Sequence, residues 1–177
     1  NNDMDITGVG TGFNELDKLT SGFQKGDLVI IAGRPLMGKT TLAINIAENA
    51  AIGNGVATAI FSMEMSREAL AIRMISSLGR IDQKNLRNGD FKQDGWDRIN
   101  SAVQMMEDAP IYIDDSPALS PTEVRARARR LKRESNIGLI VLDYLQLMQV
   151  PGNNENRTAE VSEISRSLKA LARELEI

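Results

Sequence analysis

The sequence contains neither cysteine nor histidine among its 177 residues. Without cysteine the chain forms no disulfide and offers no thiolate to a metal, which fits the cytosol. Without histidine it has no imidazole base and no imidazole ligand for zinc. A general base that works at neutral pH is therefore expected to be a carboxylate.

Long hydrophobic runs are also missing. No stretch reaches the roughly eighteen apolar residues of a membrane-spanning helix, and the polar, acidic residues 1–5 are unlike a signal peptide. We therefore expect a cytoplasmic protein with no membrane partner. The formal net charge of −3 means that the chain as a whole does not attract nucleic acid. Apolar residues make up 42% and charged residues 25%, the balance of one ordinary globular domain.

The most informative stretch is residues 33–40, GRPLMGKT, which match the phosphate-binding pattern G-x-x-x-x-G-K-[ST]. The apolar run 28–32 precedes it and predicts a buried strand, and residues 41–48 predict a helix. In such a loop, glycines let the backbone approach phosphates, and the helix start adds unpaired N–H groups and partial positive charge. The predicted nucleotide-binding residues are Gly33, Arg34, Pro35, Met37, Gly38, Lys39, Thr40 and Thr41.

Strands and helices alternate along the rest of the chain. Apolar runs predict further strands at 56–62, 111–113 and 139–143, and apolar residues at helical spacing predict helices at 13–19, 67–78, 82–88, 95–107, 121–135 and 159–176. Continuous apolar strands between helices indicate an α/β fold, with a mainly parallel sheet covered by helices on both faces. We see one domain, 1–177, with residues 1–26 as a lead-in that carries a short helix.

Asp143 follows four apolar residues at the end of the last predicted strand, which is a Walker B pattern. A buried strand brings such a carboxylate to the carboxyl edge of the sheet, where nucleotides bind in open α/β folds. We expect Asp143 and the hydroxyl of Thr40 to hold Mg²⁺ there. Lys39 is expected to reach the β- and γ-phosphates.

Spacing alone leaves the choice of catalytic carboxylate open. Glu64 follows the strand 56–62 and would lie near the γ-phosphate if that strand neighbours the phosphate-loop strand, where it could align and deprotonate water. A surface Glu just before a helix is the plain alternative. Asp114 and Asp115, at the end of the strand 111–113, are rival candidates for the same role.

The helix 121–135 is rich in Arg and Lys. It could be a nucleic-acid or partner surface, or a solvated face whose long side chains pack their stems on the sheet. No aromatic residue is interleaved to stack on bases, which favours the solvated face.

Taken together, these motifs strongly resemble the bacterial replicative DNA helicases of the DnaB family. The resemblance rests on five stretches: 7–13, 32–40, FSMEM at 61–65, DYLQLM at 143–148, and EISRSLKALA at 163–172. It implies a RecA-like motor domain in which Lys39 and Glu64 are catalytic and Thr40 and Asp143 bind Mg²⁺. Leu36 stands where the family usually has a small residue such as Ser.

The family works as a ring of six that uses ATP to move along single-stranded DNA, with other replication proteins as partners. The resemblance also implies that C-terminal strands, DNA-holding loops and an Arg given to a neighbour follow residue 177. The expected function is therefore an ATP-hydrolysing helicase motor, with this stretch alone nearly inactive. Two alternatives are a RecA-like recombinase or repair ATPase, and a nucleotide-gated assembly module that does not hydrolyse ATP.

Overall fold

A computed structural model describes residues 5–34, 38–143, 148 and 156–177. Within them a three-stranded parallel sheet has the order β2-β1-β3, with β1 at Thr58–Ser62, β2 at Ile111–Asp114 and β3 at Leu139–Asp143. β1 lies between its two partners, with Phe61 opposite Asp114 and Ser62 opposite Asp143. The carboxyl ends of all three strands therefore meet at one edge.

Seven α-helices surround the sheet within the described residues. They are α1 (Asn14–Thr20), α2 (Lys39–Glu48), α3 (Arg67–Gly79), α4 (Gln83–Asn88), α5 (Gln93–Asp108), α6 (Pro121–Ser135) and α7 (Arg157–Leu175). A π-helical turn, Asn49–Gly53, continues α2. In the described part of the chain, no helix is long and apolar enough to cross a membrane. The predicted order of elements is confirmed from residue 39 onward.

Most helix starts follow the predicted capping chemistry. The side chains of Ser66, Asp82 and Ser120 each accept a hydrogen bond from a backbone N–H of the helix that follows. The start of α1 differs, because its N-cap position is Phe13 and makes no side-chain cap bond. Thr11 is a residue type that favours the N-cap position, but it is buried and donates its hydroxyl to Asp17 at 2.7 Å.

Two hydrophobic clusters hold helices to opposite faces of the sheet. Successive side chains of a strand point to opposite faces, so Ala59 and Phe61 join the cluster that contains α6 and α7. Ile60 joins the cluster that contains α2 and α3. The predicted parallel sheet with helices on both faces is thus confirmed, and α2 is anchored against the middle strand.

The predicted strand 28–32 is not formed. These residues carry no regular secondary structure, and Val29, Ile30 and Ile31 are 46%, 65% and 37% exposed. A cavity of about 440 Å³ lies between this segment, β3 and α7. An apolar run becomes a strand only when its backbone pairs with a neighbour, and residues 28–32 pair with none of the three strands of the described sheet.

Candidate active site

The turn into α2 is built around Gly38. Its φ of 77° lies in the left-handed region, which glycine enters without steric cost. A Cβ placed there would meet nothing within 4 Å, so the backbone conformation, and not crowding, calls for glycine. The first intrahelical bond runs from Leu42 N–H to Gly38 C=O at 2.9 Å. The earlier N–H groups of α2 therefore have no intrahelical acceptor and form a site suited to an anion.

Only part of the predicted phosphate loop can be placed. Gly33 and Arg34 are exposed and precede the turn. Pro35, Leu36 and Met37 lie outside the described residues. Lys39 begins α2, is partly buried, and lines the cavity beside residues 28–33 together with Gly33 and Asp143.

The structure brings Thr40 and Asp143 together across 103 positions of sequence. The Thr40 hydroxyl lies 3.3 and 3.5 Å from the two carboxylate oxygens of Asp143. Asp143 is 5% exposed, because β3 ends there beneath α2. A hydroxyl and a carboxylate side by side are the hard oxygen donors that Mg²⁺ takes alongside water and phosphate. Within the described residues, no group of three or more Asp, Glu, His or Cys side chains is arranged to hold a metal ion.

Glu64 lies at the same edge, by a different route from the predicted one. Among the described residues, strand β1 neighbours β2 and β3, and no phosphate-loop strand pairs with it. The ladder continues one step past β1, since Met63 N–H donates to Asp143 C=O at 2.8 Å. Glu64 is the next residue and is exposed. It therefore lies one residue beyond the backbone bond to Asp143 and is open to solvent.

The rival carboxylates at the end of β2 are already engaged. Asp114 forms a 2.6 Å ion pair with Arg127 of α6 and accepts a hydrogen bond from Ser116 N–H. Burial alone raises the pKa of Asp114, but the bonds from Ser116 and Arg127 outweigh burial and hold that pKa below its usual value. Asp115 accepts from Arg67 N–H at 2.9 Å. Asp114 therefore ties the end of β2 to α6, and Asp115 ties it to the start of α3.

Most cationic side chains of helix α6 form an ion pair or a hydrogen bond with another residue of the chain. Arg127 pairs with Asp114, Arg129 with Glu174 of α7, and Arg130 with Glu134. Lys132 donates to the C=O of Ile137. This pattern favours the solvated face that packs its own sheet and α7, as the lack of aromatics suggested.

Two residues at the contact between α2 and α3 escaped sequence reasoning. Arg73 of α3 donates its Nη1 to the Thr41 hydroxyl at 3.1 Å. Glu48, at the end of α2, is buried and accepts from Ser77 of α3 at 3.0 Å. Burial raises the pKa of Glu48 to about 7, and the bond from Ser77 opposes that rise. Helical periodicity marks only the apolar face of α3, so nothing in the sequence signals either contact.

Comparison with known proteins gives one consistent answer. The family profile described as DnaB-like helicase C terminal domain matches residues 8–177. The replicative DNA helicase DnaB of Geobacillus stearothermophilus is 53% identical over 178 residues, which cover all of this chain and 39% of that protein. The replicative DNA helicase DnaC of Bacillus subtilis is 49% identical over 98% of this chain and 38% of that protein. The chain spans about two fifths of the length of these relatives.

Solved structures agree on the fold. The structure of a DnaB-like replicative helicase superposes on this chain with a TM-score of 0.93 at 34% identity. That structure was described together with the helicase's interactions with primase, and the match covers 99% of this chain and 43% of that one. The RadB recombinase shares the fold alone, with a TM-score of 0.53 at 23% identity over 96% of this chain and 66% of that one. The fold is therefore RecA-like, as the resemblance implied.

Proposed function

The chain belongs to the family of DnaB-like helicase C-terminal domains, and we propose that residues 1–177 form part of its RecA-like ATPase domain, which binds and hydrolyses ATP with Mg²⁺. The observation that carries this proposal is the Thr40–Asp143 pair, 3.3 Å apart at the start of α2. It supports the proposal because a hydroxyl and a carboxylate, donors that suit Mg²⁺, lie next to the N–H groups of the first turn of α2, which suit phosphate.

Each residue has a distinct part in the proposed reaction, in which water attacks the γ-phosphate and ADP leaves. The N–H groups of the first turn of α2, with Gly33, Arg34, Pro35, Met37 and Gly38 of the loop, hold the phosphates. Lys39 stabilises charge that develops on the transferring group. Thr40 and Asp143 hold Mg²⁺, which neutralises phosphate charge when bound.

Glu64 is the proposed general base. Two observations support this role: Glu64 is exposed, so its carboxylate is open to water, and it follows directly after the Met63–Asp143 hydrogen bond at the carboxyl edge of the sheet. Because the chain has no histidine, a carboxylate is the natural acceptor of the water proton at neutral pH. Asp114 and Asp115 are poorer candidates, since they already accept bonds from Arg127 and Arg67 N–H.

For the protein as a whole, we propose the function of its relatives, a replicative DNA helicase. This extends to a homo-hexamer acting on single-stranded DNA with other replication proteins in the bacterial cytoplasm. The support is identity of about one half to replicative helicases across the whole chain. A recombinase is less well supported, since RadB is 23% identical.

The test is ATP turnover in the intact protein with Glu64→Gln, set beside Asp114→Asn and Asp115→Asn as matched carboxyl-to-amide controls. Glu64→Gln should still bind ATP and lose about 10²–10⁴ in turnover, because the amide cannot accept the proton. The two controls should keep turnover within a fewfold of the parent. Loss in Asp114→Asn or Asp115→Asn with normal Glu64→Gln would move the base to β2. Tight ATP binding with no turnover in the parent would favour the assembly module.

A further inference from the structure

The sequence holds two Asn-Gly pairs, Asn54–Gly55 and Asn88–Gly89. In such a pair the backbone nitrogen of the glycine can attack the side-chain carbonyl carbon of the asparagine, because glycine has no Cβ to block the approach. The reacting atoms belong to adjacent residues, so the rate depends on how readily the backbone between them brings the two atoms together. The structure gives the two pairs different freedom to do so.

The pair Asn88–Gly89 is held at the end of a helix. Asn88 is the last residue of α4, and Gly89 is its C-cap, whose N–H donates to the C=O of Asn85. The nitrogen that would attack is therefore engaged in a hydrogen bond. Attack requires that this bond break and that the last turn of α4 open.

The pair Asn54–Gly55 lies outside the helices. Asn54 follows the π-helical turn Asn49–Gly53 with φ −117° and ψ 0°, and both members of the pair are exposed. A glycine stands on each side of Asn54, and a Cβ on Gly53 or Gly55 would meet nothing within 4 Å. Neighbouring atoms therefore leave room for the rotation that brings the Gly55 nitrogen to the Asn54 Cγ.

We propose that Asn54 is a site of spontaneous covalent modification, at which its side-chain amide becomes a carboxylate. A bond forms between the Gly55 nitrogen and the Asn54 Cγ, the Cγ–Nδ2 bond breaks, and the Gly55 N–H proton leaves with the amide nitrogen as ammonia. Water then opens the resulting succinimide ring at either carbonyl, which gives aspartate or isoaspartate. The net reaction is hydrolysis of one amide, and it needs no oxidant or reductant.

The position of Asn54 gives this change a consequence for the lead-in. Its Nδ2 donates to the C=O of Gly10 at 3.4 Å. A Cβ on the buried Gly10 would lie 3.2 Å from that Nδ2 and 3.8 Å from Asp17 Oδ2, so Asn54 and Asp17 both flank Gly10. Conversion removes the donor and brings a negative charge towards a carbonyl oxygen and a second carboxylate, which is destabilising. The modification should therefore loosen the lead-in from the end of α2.

The first experiment incubates the intact, folded protein at neutral pH and follows both Asn-Gly pairs by peptide mapping and mass spectrometry. Asn54 should convert at least about tenfold faster than Asn88, because only Asn88 must leave a helix before its neighbour can attack. Asn54→Gln keeps the amide but sets its carbon one bond further from the Gly55 nitrogen, so position 54 should stay unconverted in that variant. Equal rates at the two pairs, or no conversion of Asn54 in the folded protein, would overturn the proposal.

The second experiment tests the consequence with Asn54→Asp and Asn54→Ala. Both variants lose the amide donor to Gly10, but only Asn54→Asp adds the charge of the modified residue. Hydrogen exchange in the lead-in should therefore be faster in Asn54→Asp than in Asn54→Ala, whereas exchange in β1 should be the same in both. Equal exchange of the lead-in in the two variants would overturn the proposed loosening by charge.

Discussion

The two ends of helix α2 differ in their exposure and in how their polar groups are bonded. At its start, Lys39, Thr40 and Thr41 are exposed or partly buried, and the N–H groups of the first turn have no intrahelical acceptor. At its end, Glu48 is buried and bonded to Ser77, and Asn49 donates to Thr11 C=O at 2.9 Å. One end leaves its backbone N–H groups without intrahelical acceptors. The other buries Glu48 and bonds one of its carboxylate oxygens to Ser77, while Oε1 has no hydrogen-bond partner within the described residues.

This contrast shows how one helix serves both function and stability. An open, positively charged helix start suits an anion but adds little to folding before the anion binds. The buried end fastens α2 to α3 and to the lead-in segment, so the phosphate site is held by contacts at the opposite end of the helix. Substitutions at the start should therefore change activity, and substitutions at the end should change stability.

The largest effect is expected at the start, for Lys39→Ala in the intact protein. Loss of the cation removes charge stabilisation worth about 10²–10³ in turnover and weakens nucleotide binding. The melting temperature without nucleotide should barely move, because substitutions at such a partly exposed position usually cost less than about 1 kcal/mol. On the same sample, phosphate release measures the turnover and thermal melting measures the stability. Normal turnover in Lys39→Ala would mean that Lys39 has no part in the proposed reaction.

The opposite end should respond to Glu48→Gln through pH. The folded protein holds this carboxyl at a pKa of about 7, against an ordinary value of 4.5. Between these two pH values the folded state binds more protons than the unfolded state, so the contribution of Glu48 to stability falls as pH rises and is fully lost above pH 7. The loss amounts to about 3 kcal/mol across the window. Glutamine does not titrate and should escape this loss.

Denaturant unfolding at pH 4.5, 6 and 8 tests this expectation. The stability of Glu48→Gln relative to the parent should rise with pH. The affinity of Glu48→Gln for ATP at pH 8 should match that of the parent. A relative stability that is flat with pH would mean that Glu48 is not buried as described.

Local features were the ones that sequence could predict. Ser66 and Ser120 cap helices through bonds to residues three positions away, and Asp143 follows an apolar run that had to end at the sheet edge. The parallel sheet follows from the alternation of elements. The site residues Thr40 and Asp143 were likewise expected together, and the structure places them in contact.

Features that depend on a distant partner were missed. Residues 28–32 have the composition of a strand, but composition does not say whether a neighbouring edge is within reach. Helical spacing of the apolar residues would put Trp96 on the inward face of α5, but Trp96 is 52% exposed and packs edge-on against Phe91. The Arg73 and Glu48 contacts depend on how α2 meets α3, which no local pattern records.

The smallest effect is expected for Asn49→Ala, also at the buried end. The substitution removes the donor to Thr11 C=O and should cost about 1 kcal/mol, or roughly 2–4 °C in melting temperature for a chain of this size. Turnover should be unchanged. Hydrogen exchange should report faster opening of α1, since Thr11 is tied to Asp17 in that helix.

A double variant sharpens this last expectation. Gly12 has a φ of 82°, and a Cβ there would lie 2.1 Å from Asn49 Nδ2 and 2.5 Å from its Cγ. Gly12→Ala should therefore be destabilising, through both the left-handed backbone and the clash. Asn49→Ala removes the two closest atoms but keeps Cβ, which would lie 2.9 Å away, and leaves the backbone strain. The clash is relieved in part, so the double variant should be more stable than the sum of the single effects predicts. Strict additivity would mean that Asn49 does not pack on the lead-in, and that the buried end of α2 is held by Glu48 and Ser77 without it.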